Sequence, residues 1–269
     1  MHSQKMGLEA VDGVDSNKSS TVLRALSVME ILAAAGRPLS VADVAEGIGA
    51  DRSTAYRMLM TLLEAGYVTR DESLKAYRLG FRLLSLTRNL LTEGDRSKLV
   101  AQALARISDR TGETVHYCVQ DGDATVLVQR VKGTQLVAVD FQIGDRSPLH
   151  CTSIGKAILA FQDVRKVDEV IAKGLPKFAE QTIIDPARFR KELDKIRMQG
   201  YAFDDREFHD DMRCVAVPIF EKDGTVTSGI SLSGPASRYT LAKLDQLRLE
   251  AADAAREVSR QFGGSTKSS

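Results

Sequence analysis

Only three cysteines, Cys118, Cys151 and Cys214, occur in this 269-residue chain, and no two of them form a CxxC pair. Their odd number, without an export signal, fits reduced thiols in a cytoplasm rather than a disulfide framework. The opening residues lack a basic segment followed by an apolar core, so no secretory signal is expected, and residues 1–17 read as a disordered leader. No uninterrupted apolar run approaches the roughly 20 residues a membrane helix requires, since even the leucine-rich Leu83 to Leu91 carries Arg88. No membrane partner is therefore expected. Net charge is nearly absent at +1, so affinity for nucleic acid has to come from a local patch. No internal repeat is present.

What remains is ordinary globular composition, 43% apolar and 27% charged, in a chain long enough for two domains. From Thr21, the positions Val22, Leu26, Met29 and Leu32 recur at helical spacing until Gly36-Arg37-Pro38 stops the helix. Ser40 caps a short second helix with Val41, Val44, Ala45 and Ile48 on one side, closed by Gly49. Asp51 caps a third, Arg52 to Ala65, whose apolar stripe is Ala55, Leu59, Leu62 and Leu63. Two short helices joined by a tight turn make a helix-turn-helix. Gly66 to Arg70 and Lys75 to Leu79 then read as two strands around Asp71-Glu72-Ser73, which adds a wing.

The expected N-terminal domain, residues 18–80, is thus an all-α winged helix-turn-helix whose only strands are the wing. Its third helix presents Arg52, Ser53, Thr54, Tyr56 and Arg57 at the end that enters a major groove in this motif, and the wing adds Arg70 and Lys75. Arginine can fork onto guanine or phosphate, and hydroxyls reach phosphates or base edges. Between Lys18 and Arg88, ten basic side chains face seven acidic ones, a mild bias. Double-stranded operator DNA is the expected partner.

Residues 81–94 read as a linker helix and residues 95–262 as a second, α+β domain, with 263–269 a flexible tail. A helix from Arg96 to Arg110 precedes β-branched runs at Thr114–Gln120, Thr125–Val131 and Gln135–Phe141, separated by hairpin signals. Helices follow around Val164–Lys173 and Pro186–Gln199, then strands at Tyr201–Asp204, Arg213–Phe220 and Thr225–Ser233. A last helix, Leu241–Gln261, is apolar along one side. Strands in two groups separated by helices imply a mainly antiparallel sheet.

The chemistry concentrates in Pro148 to Ala160, PLHCTSIGKAILA, where Thr152 or Ser153 caps an apolar helix. A phosphate loop fails on spacing, because His150 stands where the first glycine belongs and Ala157 replaces the hydroxyl after Lys156. A cysteine or serine nucleophile could draw on Cys151, Ser153, His150, His116, His209 and Asp204, but no signature surrounds Cys151. For a metal site from His116, Cys118, His150, Cys151, His209 and Cys214, adjacent His150 and Cys151 lack ordinary chelating spacing while His116 and Cys118, two apart on a strand, point to one face; the signal is weak, and no cofactor or metal is expected. A small-anion receptor is the fourth reading. Backbone amides from Ser153 to Gly155, hydroxyls of Ser231 and Ser233 on one strand face, and Asp204 with Cys214 could hold a carboxylate.

Three stretches carry a family resemblance: RSTAYRMLMTLLEAGYV, PLHCTSIGKAILA, and GYAFDDREFHDDMRCVAVPIF followed by DGTVTSGISLSGPASR. Together, in this order, they resemble the IclR-type bacterial transcriptional regulators from about Thr21 to Arg260. The resemblance implies a cytoplasmic regulator, a homodimer or dimer of dimers, with a GAF-like effector domain. Its ligand would be a small organic or aromatic acid whose catabolism or uptake is controlled. By position, the effector pocket would hold Ser153, Ile154, Gly155, Asp204, Cys214, Ser231 and Ser233, with Leu136 and Val139 as an apolar wall. Ser153 and Ile154 stand where some members carry Gly and Ala, so the pocket floor differs in volume. An enzyme with a DNA-binding appendage and a ligand-independent architectural DNA binder are the competing classes.

Overall fold

The structure, a computed structural model, describes residues 19–91 and 94–264. The expected leader, part of the linker and residues 265–269 of the tail lie outside them. The chain divides into two compact units at residues 91 and 92.

In the first unit, α1 (Ser20–Ala34), α2 (Val41–Gly47) and α3 (Arg52–Glu64) pack around Val28, Leu32, Val44, Ala55, Leu59 and Leu62. Each start has a chemical reason. Ser40 and Asp43 form a reciprocal capping box at α2. Asp51 caps α3 by accepting from the Thr54 amide at 2.9 Å and the Thr54 hydroxyl at 2.7 Å. Gly66, at φ +78, closes α3 in the left-handed conformation that glycine adopts without a steric cost.

Two expectations shift in this unit. Helix α1 is apolar on more than one side, and the side that meets α2 and α3 runs through Val28 and Leu32, which leaves Val22 and Leu26 exposed. The wing pairs β1 (Val68–Asp71) with β2 (Ala76–Leu79), so its turn falls one residue later than expected, at 72–75, and includes Lys75 at φ +48. Asp71 organises that turn by accepting from the Ser73 amide and hydroxyl and the Leu74 amide. A sixth element of regular structure, α4 (Arg82–Leu91), follows.

The second unit is built on one six-stranded sheet: β3 (Val115–Asp121), β4 (Ala124–Val131), β5 (Arg146–Pro148), β6 (Ala202–Asp205), β7 (Met212–Phe220) and β8 (Val226–Pro235). Spatial order is β5-β4-β3-β8-β7-β6, and every neighbouring pair is antiparallel. Helices α5 (Gly94–Thr111) and α9 (Leu241–Gln261) cover one face, meeting Val215, Val217, Ile219, Ile230 and Leu232. The other face carries α6 (Ser153–Leu159), α7 (Val164–Ala172) and α8 (Pro186–Gln199) over Cys118, Ala202 and Ala216. Both faces being covered, alternate residues of β7 and β8 are buried on opposite sides, and Thr227 near the start of β8 is the exposed exception. This is the α+β, GAF-like arrangement.

Here too the chain departs from expectation. Gln135–Phe141 is not a strand. Gly133 is pressed against Gly112, where a Cβ would lie 2.3 Å from the Gly112 carbonyl oxygen, and the backbone leaves the sheet there. The edge of β4 is taken instead by the three-residue β5, pairing Ala124 with Pro148 and Val126 with Arg146. At the other end, Gly263 bridges to Glu221 and the Gly264 amide bonds to the Ser259 carbonyl at 2.8 Å, so the packed chain runs past the expected start of the tail.

Candidate functional site

Beneath α6, the inner sheet face and the 132–147 segment enclose a cavity of about 50 Å³. A water needs on the order of 10–15 Å³ in this measure, so the space equals roughly three to five waters. Ser153, Ile154, Asp204, Cys214, Ser231 and Ser233 all line it. The two serines of β8 point inward because Ile230 and Leu232 take the α5/α9 side.

Three expected members stand elsewhere. Leu136 is 104% exposed, since the segment that would have walled the cavity as a strand is a surface loop. Val139 lines an adjoining open groove of about 370 Å³, separated from the cavity by Phe141, Phe208 and Met212, which contribute to both. Gly155 is a packing residue. A Cβ at Gly155 would sit 2.5 Å from Leu149 Cα and 2.7 Å from the Pro148 carbonyl oxygen, and its amide is held by the Thr152 hydroxyl at 3.1 Å.

His116 and Cys118 belong to the lining too, brought to one face by β3. Alternation along a strand could have assigned them. Phe208 and Met212, by contrast, come from and just beyond an irregular turn that leaves no periodic signal.

The buried polar groups define what the cavity offers. Asp204 is 0% exposed; its Oδ1 accepts from the Glu207 amide at 2.7 Å and the Phe208 amide at 3.4 Å, while among the described residues Oδ2 has no hydrogen-bond partner. Burial, and after it the neighbouring Glu207 charge, pushes the Asp204 carboxyl up to about 7. Lys156, wholly buried on α6, donates to Glu207 and lies 3.5 Å from Glu192. The cavity thus adjoins a closed ion pair and is lined by hydroxyls, thiols and a carboxyl that holds its proton near neutrality. Arg146 and Asp145 are the exposed part of the lining, and Arg146 is engaged by Asp121.

The cysteines are poor nucleophiles. Burial raises Cys118 to about 12 and drives Cys151 and Cys214 upward as well, and a protonated thiol neither attacks nor ligates well. Among the described residues, no group of three or more His, Cys, Asp or Glu side chains converges as a metal site.

On the first unit, Arg52, Ser53, Tyr56 and Arg57 are exposed along the first turns of α3. Thr54 is committed to the Asp51 cap through its hydroxyl, so it sets the helix start. Arg70 lies 3.6 Å from Glu72 on the wing, and Lys75 sits exposed in the turn.

A winged helix with an open basic helix end, joined in one chain to a domain whose cavity combines apolar walls with buried hydroxyls and a carboxyl, defines a ligand-responsive DNA-binding regulator. The comparisons agree. A family model described as bacterial transcriptional regulator IclR C-terminal matches residues 71–260, and one described as IclR helix-turn-helix domain matches residues 21–72. The HTH-type transcriptional regulator KdgR of Escherichia coli is 30% identical over 246 residues, covering 91% of this chain and 93% of its own length. The HTH-type transcriptional regulator BhcR of Paracoccus denitrificans is 33% identical over 252 residues, covering 91% and 88%. The crystal structure of the Thermotoga maritima IclR superposes with a TM-score of 0.78 at 32% identity, over 90% of this chain and 98% of that one. The chain belongs to the IclR family of bacterial transcriptional regulators.

Proposed function

We propose that the cavity under α6 receives a small carboxylate effector and that α3 and the wing hold operator DNA. The observation that carries the effector reading is Asp204, a buried carboxyl with one oxygen saturated by two amides and the other unpartnered at the cavity. In its protonated form that second oxygen donates to an arriving carboxylate, and Ser153, Ser231 and Ser233 add hydroxyl donors. An acid of a few heavy atoms matches the enclosed volume; an aromatic acid requires the Phe141, Phe208 and Met212 wall to move. The regulated genes would serve catabolism or uptake of that acid.

For DNA, Arg52, Ser53, Tyr56 and Arg57 form the groove-facing set and Arg70 and Lys75 reach the flanking backbone. A homodimer suits the apolar surface left on this unit: Val22 and Leu26 on α1, with Phe81, Leu84 and Leu86 at and within α4, are exposed, Phe81 by 84%. Paired units would read a palindromic site in the cytoplasm. Among the described residues, no helix is long and apolar enough to cross a membrane.

The test joins both halves. Titrating the full chain on DNA flanking its gene, at fixed salt, Arg57→Ala should lose about tenfold in affinity and about one unit of salt slope while its acid binding is unchanged. Unchanged DNA affinity would count against the α3 assignment. A thermal-shift panel of small acids addresses the cavity, since a ligand at 100 times its Kd stabilises by about 2.7 kcal/mol. No shift with any acid would favour an architectural DNA binder.

A further inference from the structure

The same cavity contains a second orphaned polar atom, and it narrows the ligand. His116 is 2% exposed, and among the described residues its Nε2 meets no hydrogen-bond partner. The imidazole has a backbone hydrogen bond to Ser231, which stands opposite His116 in the β3–β8 ladder. Assigning that bond as Nδ1–H donating to the Ser231 carbonyl, since Nε2 is the unpartnered nitrogen, puts the proton on Nδ1 and leaves a lone pair on Nε2. Burial and the Arg130 charge hold the ring neutral, pushing it down to about 4. Arg130 itself is turned to Asp140 and the Phe141 carbonyl, and Phe141 packs edge-on against the imidazole with centroids 5.8 Å apart. Among the described residues, none donates a proton to Nε2.

Resting on the acid-receptor reading above, we propose that His116 selects for a hydroxyl: the effector is a small hydroxy acid whose O–H donates to Nε2, rather than the corresponding keto or unsubstituted acid. A keto oxygen brings an acceptor to an acceptor and leaves both unsatisfied, and a methyl or methylene leaves the imidazole nitrogen dry and unpaired. A site built to bond a hydroxyl rejects analogues lacking it more strongly than an apolar pocket rejects one carbon too many.

Lactate, pyruvate and propionate share three carbons and differ in this one group. Calorimetric titration of the full chain with each, at one pH and salt, should rank lactate about tenfold or more above the other two. His116→Phe should still take the acids but lose the ranking, and His116→Gln, which keeps an acceptor, should retain it. Acids binding without preference for lactate, or a preference surviving in His116→Phe, overturns the hydroxyl assignment while leaving the receptor reading intact. Failure of all three acids to bind overturns the receptor reading and this inference with it. Should His116→Phe not fold, the wild-type ranking decides alone.

Discussion

Asp204→Asn is the substitution from which the cavity's chemistry is best read. Asparagine keeps an oxygen to accept from the Glu207 and Phe208 amides and places an N–H where the protonated carboxyl carries its O–H. It therefore mimics the neutral acid and removes the ionisation. In the folded chain Asp204 is raised from 3.8 to about 7, first by burial and then by Glu207, against partial relief from Lys156 and the two amides. Because the folded state holds the proton more tightly, the stabilisation is fully present below the unfolded value near 3.8 and is lost as pH rises through about 7. A rise of about 3 pH units corresponds to on the order of 4 kcal/mol, an upper bound because water entry around the ionised group recovers part of it.

The groups facing Asp204 are Glu207 and Lys156, which form an ion pair, and Cys214, whose thiol its charge raises. Urea unfolding of both proteins from pH 4.5 to 8.5 subtracts what they have in common. The stability difference should turn toward the variant as pH rises and level off above about 7. The same ionisation puts a negative charge where the effector carboxylate would lie, so wild-type acid binding should weaken above pH 7 and the variant's should not. Parallel stability curves, with a difference flat in pH, would refute both the raised carboxyl and its role as donor.

Two further outcomes follow from packing. Gly155→Ala drives a methyl onto the Leu149 and Pro148 backbone, which cannot rotate away, and should cost about 3 kcal/mol or more in the urea unfolding of the receptor unit. Lys156→Met keeps the volume but strands Glu207, and should cost about 3–5 kcal/mol at pH 8. That cost should shrink at pH 5, since burial already raises the Glu207 carboxyl and acid lets it neutralise; an equal loss at both values would show that the pair is not what holds α6.

The first unit was legible because its signals are local. Ser40, Asp51 and Gly66 punctuate helices through bonds spanning three or four residues, and those bonds form wherever the helices end up. Alternation likewise placed Ser231 and Ser233 on one face of β8, but solvent and core are indistinguishable to a single strand. Only the covering of both sheet faces turned those serines inward. The Gln135–Phe141 segment failed for the converse reason. Its β-branched pattern is real, yet a strand exists only with a neighbour, and the edge of β4 was taken by residues 146–148.

His116 shows what kind of residue lies between these limits. Strand pattern places it beside Cys118 on one face, and that much invited a metal reading, because two soft donors two residues apart look like ligands. Whether an imidazole is a ligand, a base or an acceptor depends on its other nitrogen, and the partner that assigns it is the Ser231 backbone, 115 residues away across the ladder. With Nδ1 spent on a carbonyl and burial holding the ring neutral, the remaining lone pair can serve a metal or a hydroxyl. Cys118, pushed up to about 12, is a protonated neighbour that adds little to a metal and does not repel a small organic guest. The same side chain that suggested coordination in isolation therefore favours recognition of a hydroxyl once its neighbours are in place.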